Sequence, residues 1–132
     1  MSAGEALVAA AVGAVSAIEG PMRLSAVFDA APARAALPYA VVDDPVLVDW
    51  SATAVAGREG RLVVTLWDAG ERPARLRALI EAAEAAVLAM GPGLSAGWRV
   101  ASLGLARSRV VRGGGDRWMG VSEFRVRMYR ES

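Results

Sequence analysis

Four aspartates are the side chains of this sequence best suited to chemistry: Asp43, Asp44, Asp49 and Asp68. Carboxylate oxygens are the ligands that a hard cation such as Mg²⁺ prefers, and two carboxylates facing each other across a cleft support hydrolysis. These aspartates stand before a proline, beside Trp-Ser, or at the end of a strand pattern, which are ordinary turn and strand-end positions. We therefore expect no catalytic residue, no metal site and no cofactor. The alternative to this expectation is a small carboxylate-based enzyme or ligand-binding α+β domain.

The residue types that are missing narrow the choice further. The chain has no Cys, no His and no Lys, and its 15 cationic side chains are all Arg. Nucleophiles paired with His, thiolates, zinc sites and Schiff-base lysines are thereby excluded. Arginine is a poor proton carrier because its pKa exceeds about 12. Composition therefore favours a binding or structural role over catalysis.

Two glycine-rich stretches superficially resemble nucleotide-binding loops. A phosphate-binding loop follows a strand and opens a helix. Residues 91–97 instead follow a predicted helix and contain Pro92, and residues 113–115 lead into a strand without a lysine. We interpret the first as a helix stop and the second as a hairpin turn.

Charge is divided unevenly along the chain. Residues 1–98 hold seven Arg against eleven acids, about −4, whereas residues 99–132 hold eight Arg against three acids, about +5. The simplest interpretation is a solvated strand face with ordinary salt bridges. Complementarity between copies or with a neighbouring protein is the next, and nucleic-acid binding is the third. Alternation with Glu123 and the lack of an aromatic stacking platform favour protein contact over nucleic acid.

The elements that would position these side chains begin with a helix over residues 2–19. Ser2 is a suitable N-cap with Glu5 three positions on, and Gly20-Pro21 would end the helix. Beside its main apolar stripe runs a second one, formed by Val8, Val12 and Val15. Either the chain's own core or a neighbouring subunit covers this second stripe.

The same segment imitates a secretion signal without fitting one. Its apolar run, residues 6–18, is about half the length that spans a bilayer, and Glu5 gives the preceding residues the wrong charge. We therefore expect a cytoplasmic soluble protein with no membrane partner.

Residues 21–38 read as irregular, with a short apolar piece at 24–28, and residues 41–48 as extended but broken by Asp43-Asp44-Pro45. Residues 51–60 read as a long loop. Residues 61–68 then alternate with apolar side chains on both faces, so both faces are expected to be covered.

The second half predicts a long helix over residues 73–90, followed by a hairpin with its turn at 113–116. In the last strand Phe124, Val126 and Met128 alternate with Glu123, Arg125 and Arg127, giving one core face and one charged face. The prediction is one domain over residues 1–132 of the α+β class. Its mainly antiparallel sheet has about four strands, with an N-terminal helix and one long helix packed on it.

The order of these signals resembles one protein family. Residues 37–44 (LPYAVVDD), 49–51 (DWS), 58–60 (REG) and 61–68 (RLVVTLWD), then a long helix and a terminal hairpin, are similar to the tail-completion (tail terminator) proteins of long-tailed phages and gene transfer agents. The resemblance covers nearly the whole chain.

That resemblance implies a structural virion protein and no enzyme. It implies a homo-hexameric ring that caps the tail tube, ends its polymerisation and joins the tail to the head. The implied partners are the tail tube protein and the head-tail connector or neck protein, with DNA only in transit through the lumen. The implied location is the host cytoplasm during assembly and then the tail-neck junction.

Candidate interface residues complete the prediction. Trp118, beside the hairpin turn, is the best candidate for contacting a partner, because tryptophan near a sheet rim is a frequent interface anchor. The loop at 51–60 and the hairpin tip at 113–118 are expected to bind neighbouring rings. The full set of expected interface residues is Val8, Val12, Val15, Arg58, Trp67, Arg112, Arg117, Trp118, Arg125 and Arg127.

Overall fold

The computed structural model describes residues 1–20 and 23–131, and in them two α-helices pack on one face of a six-stranded sheet. The helices are α1 (Ala3–Ser16) and α2 (Ala74–Leu88). The strands are β1 (Ala26–Phe28), β2 (Tyr39–Val42), β3 (Val46–Asp49), β4 (Val55–Ala69), β5 (Arg99–Arg112) and β6 (Arg117–Glu131).

The sheet has the order β1-β2-β4-β6-β5, and β3 pairs with β4 beyond the end of β2. All strand pairs are antiparallel except β1 with β2. The α+β class is confirmed, and the described residues form six strands where about four were expected. Asp43-Asp44-Pro45 divides one predicted extended segment into β2 and β3, and the short apolar piece at 24–28 contributes β1.

Helix α1 begins where the sequence predicts and ends earlier. The Ser2 hydroxyl oxygen accepts a hydrogen bond from the Glu5 backbone N–H at 3.1 Å, which caps the helix. The helix ends at Ser16, before the predicted end at Glu19. Of the pair expected to end it, Pro21 lies outside the described residues.

Strand β4 is longer than predicted, because residues 55–60 extend it instead of forming a loop. The glycines there are required by a close approach of β3. A side chain at Gly60 would overlap the Val46 carbonyl oxygen, and one at Gly57 would overlap the Trp50 carbonyl oxygen. Glycine inside a strand can mark such an approach of another backbone as well as a loop.

The predicted long helix and hairpin are confirmed. Helix α2 follows Pro73 and buries five residues on one apolar face: Leu76, Leu79, Ile80, Ala83 and Val87. At the hairpin turn, Gly114 and Gly115 adopt φ angles of 94° and 57°, which glycine accepts without strain.

The hydrophobic core lies between the helices and one face of the sheet. Leu62, Val64 and Leu66 of β4 and Phe124 of β6 are fully buried there. On the other face of β4, Val63, Thr65 and Trp67 are only half-buried. The expectation that both faces are covered is therefore wrong for the chain by itself. Within the described residues, neither helix has the length and apolar character needed to cross a membrane.

An ion pair between a buried aspartate and a half-exposed arginine joins the end of β4 to the start of α2. Arg75 donates to the Asp68 carboxylate through Nε at 2.8 Å and Nη2 at 2.5 Å, and the Ala69 N–H donates to the same carboxylate at 2.9 Å. Burial raises the pKa of Asp68, but these hydrogen bonds outweigh burial and the net shift of its pKa is downward.

Replacing Gly60 by alanine is expected to destabilise the chain by about 1–3 kcal/mol, since the added methyl group must push β3 away from β4. Gly104→Ala is the matched control, because nothing lies within 4 Å of a Cβ at that position. Urea unfolding of both variants measures the difference. Equal stability of the two variants would contradict the close approach of β3.

The Asp68→Asn variant is expected to lose about 2 kcal/mol of unfolding free energy at pH 7, because it removes charge-assisted hydrogen bonds from a buried site. Since folding lowers the pKa of Asp68, its stabilisation is present above the unfolded value of 3.8 and is lost as pH falls below it. The gap in unfolding free energy between wild type and variant should therefore narrow below pH 4 in denaturant titrations. Asp29→Asn, at an exposed carboxylate, should show no such gap.

Candidate assembly interfaces

The four aspartates singled out in the sequence do not gather into one site. Thr65 Oγ1 donates to Asp43 Oδ2 at 3.3 Å, Asp44 is exposed beside α1, and Asp68 is bound by Arg75. Across residues 1–20 and 23–131, no three acidic side chains come together as metal ligands would.

Asp49 organises the turn between β3 and β4. Its Oδ1 accepts hydrogen bonds from Ser51 Oγ at 2.6 Å and from the Ser51 N–H at 3.3 Å, and Arg58 Nη1 lies 3.3 Å away. The two bonds from Ser51, with a smaller effect of Arg58, lower the pKa of Asp49. The acid and the predicted interface residue Arg58 therefore stabilise a turn.

The sheet face opposite the helices, which we call the outer face, carries most of the C-terminal arginines. Residues on β4 and β6 that alternate with the core positions point to it, as their antiparallel register shows. Two cross-strand ion pairs lie there, Arg127 with Glu59 at 2.9 Å and Arg107 with Glu123 at 3.0 Å.

Arg61 and Arg125 break this pattern of pairing. They are directly opposite each other in the β4–β6 register, and both are exposed. Among the described residues, neither side chain has a hydrogen-bond or ion-pair partner. Like charges directly opposite each other on neighbouring strands destabilise a sheet.

An open groove crosses the outer face at this pair, and we call it the basic trough. Val46 and Val48 of β3 form one wall, with 72% and 57% of their surfaces exposed. Gly104 on β5 faces Arg125 and leaves the opposite side open. The trough is lined by Val46, Val48, Glu59, Gly60, Arg61, Ser102, Leu103, Gly104, Arg125, Val126 and Arg127.

The second stripe of α1 is only partly available to a neighbour. Val8 and Val15 are buried in the chain's own core, whereas Val12 stays half-exposed. Val8 and Val12 form the floor of a second groove, which we call the acidic groove. Its lining residues are Met1, Glu5, Val8, Ala9, Val12, Asp29 and Asp44.

The predicted interface residues at the hairpin tip differ in their freedom. Trp118 is half-buried, its Nε1–H donates to the Gly70 carbonyl at 3.0 Å, and the Arg112 guanidinium lies 4.8 Å from its ring centroid. Arg117 is exposed. Trp67 stacks on Tyr39 with 6.4 Å between ring centroids. Both tryptophans therefore make stabilising contacts within the chain, whereas the exposed Arg117 is more available for contact with a partner.

Sequence reasoning named Arg125 and Arg127 but missed their neighbours Arg61, Val46 and Val48. The two valines alternate along a short strand after Pro45, so the sequence pattern indicates that they share one face of that strand. The position of Arg61 opposite Arg125 depends on the β4–β6 register, which no local pattern reveals.

Comparisons with known proteins agree with this architecture. The family described as "Tail completion protein gp17" matches residues 5–129. A chain of the solved structure "Virion of native gene transfer agent (GTA) particle" is similar with a TM-score of 0.82 and 25% identity, over 98% of this chain and 99% of that chain. No protein of curated function matches.

The family match extends over nearly the whole chain, and the structural likeness covers both helices and the sheet. The resemblance predicted from the sequence is thus confirmed, and this chain belongs to the phage tail completion protein family.

Proposed function

We propose that this chain is a tail terminator. Its copies close into a homo-hexameric ring at the end of the tail tube, stop polymerisation of the tube protein and join the tail to the head-tail connector. The observation that carries the proposal is the family match over residues 5–129, supported by the likeness to a chain of a gene transfer agent virion. The role is structural and involves no catalytic turnover.

The length of the sheet suits a protein that joins two different partners. Strands β4 and β6 are each 15 residues long, roughly 50 Å at about 3.3 Å per residue. Val55 pairs with Glu131 at one end and Ala69 with Arg117 at the other. The turn at 50–54 and the hairpin tip at 113–116 therefore lie at opposite ends, where each can contact a different neighbour.

The one-sided core suits a ring. The outer face leaves Val46, Val48 and the half-buried apolar residues of β4 without cover from the chain itself. Burying such surface against a different surface of the next copy gives a heterologous interface, which forms a ring when the rotation closes. In this proposal DNA only passes through the lumen, and no membrane takes part.

Native mass spectrometry of the purified chain, alone and with purified tail tubes, is expected to show a closed particle near six times the 13.7 kDa chain mass. Added during assembly of the tail tube protein, the chain should stop tube growth at one end, as electron microscopy of tube lengths measures. An unrelated α+β protein of similar size is the control. A chain that stays monomeric and neither binds tube ends nor changes tube length would contradict the proposal.

Substitutions at the two ends of the sheet are expected to separate the two joining contacts. Thr53→Arg alters the exposed turn before β4, and Arg117→Glu alters the exposed hairpin tip. One variant should lose capping of tail tubes and keep attachment of heads, and the other should show the reverse, in sedimentation assays with each partner. Loss of both contacts in both variants, with unchanged thermal unfolding, would contradict a role for opposite ends.

A further inference from the structure

We infer that the basic trough of one copy receives the acidic groove of the next copy, and that this contact seals the ring. The inference rests on the proposed function and deepens it, because it assigns the two surfaces that meet. It joins Arg61, Arg125, Val46 and Val48 of one copy to the groove between α1 and the ends of β1 and β2 in its neighbour.

The trough combines unpaired positive charge with exposed apolar surface, as expected of an interface without its partner. Its two facing arginines repel each other and have no acidic partner within the described residues, so the isolated chain carries an unfavourable cross-strand pair. Carboxylates arriving from outside would turn this repulsion into two charge-assisted contacts. The exposed valines of β3 beside the arginines add apolar surface that the same partner would bury.

The acidic groove offers the matching chemistry. Val8 and Val12 give it an apolar floor, and the exposed side chains of Glu5, Asp29 and Asp44 give it negative charge. Asp29 and Asp44 have no hydrogen-bond or ion-pair partner among the residues described. Acidic rim and apolar floor on one surface, and arginines beside projecting valines on the other, are complementary in both charge and hydrophobicity.

The placement of the two surfaces allows repetition around an axis. The trough lies on the outer face, toward β5, whereas the groove lies beside α1, where the parallel strands β1 and β2 end. Because the two surfaces differ and lie on opposite sides of the sheet, each copy uses one surface to bind its predecessor and the other to bind its successor. A heterologous contact of this kind forms a ring when the rotation from one copy to the next closes.

Nucleic acid fits the trough less well than a protein does. Of the three arginines that line the trough, Arg127 is paired with Glu59, which leaves two cations for a phosphate backbone. The two exposed valines would gain nothing from phosphates, whereas an apolar protein groove would bury them.

Cross-linking tests the contact directly, because the chain has no cysteine of its own. Val48→Cys and Ala9→Cys place single thiols at exposed positions of the trough wall and the groove. After co-assembly and treatment with a short bis-maleimide, a covalent dimer is expected from the mixture and from neither variant alone. Val48→Cys mixed with Glu81→Cys, on the exposed side of α2, is the control and should give no dimer.

Charge reversal tests the energetics of the same contact. Arg61→Glu with Arg125→Glu should abolish the ring, and adding Asp29→Arg with Asp44→Arg to that chain should restore it, as native mass spectrometry measures. Arg109→Glu, an exposed reversal elsewhere on the outer face, should leave the ring intact. Arg125→Glu alone should raise the thermal unfolding midpoint of the isolated chain, since it replaces a like-charge pair by an opposite pair.

The outcomes separate this inference from the proposed function. If the chain with Arg61→Glu and Arg125→Glu alone still forms rings normally, the contact is overturned and the terminator role stands. Rings that form without cross-links between trough and groove would have the same meaning. Intact rings with lost affinity for duplex DNA would overturn it in favour of nucleic acid. A wild-type chain that forms no ring, even on tail tubes, would overturn both.

Discussion

The constraint on which this structure depends is that two helices cover one face of a sheet and leave the other bare. The core closes between the helices and the inner positions of β4 and β6, where Leu62, Val64 and Phe124 are fully buried. One face of the sheet is thus covered within the chain, whereas the other face keeps apolar and charged side chains exposed to solvent. The bare face carries most of the C-terminal arginines and the most exposed valines of the described residues, and it is therefore available for assembly.

The two faces are stabilised by different forces. Inner positions are held by apolar burial, and the edge of that layer is fixed by the hydrogen bonds that Arg75 donates to the buried Asp68 carboxylate. The outer face relies on exposed pairs such as Glu59–Arg127, which typically contribute less than about 1 kcal/mol each. Substitutions on the outer face therefore change stability little, so contacts between copies can be altered without loss of the fold.

Sequence reasoning succeeded where the signal was local and failed where it depended on pairing. The Ser2 cap, the apolar face of α2 and the glycine turn after β5 were predictable, because each is decided within a few residues. The start of β4 was not, because Gly57 and Gly60 looked like loop residues until the approach of β3 explained them. The trough was invisible for the same reason, since its facing arginines are 64 positions apart in sequence and meet only through the register of two strands.

The edges of the sheet explain why association should use its faces. An unpaired edge strand is a template for another chain, and proteins protect such edges with short strands, bulges and charges. Here the strands at one edge are short, with three residues in β1 and four in β3, and β5 at the other edge carries register shifts near Ala101 and Ala106 together with exposed arginines at 107 and 109. Strand-to-strand extension is therefore disfavoured at both edges. The bare face and the groove beside α1 remain as the surfaces with apolar area and unpaired charge, and their difference in sign favours binding to each other over binding to themselves.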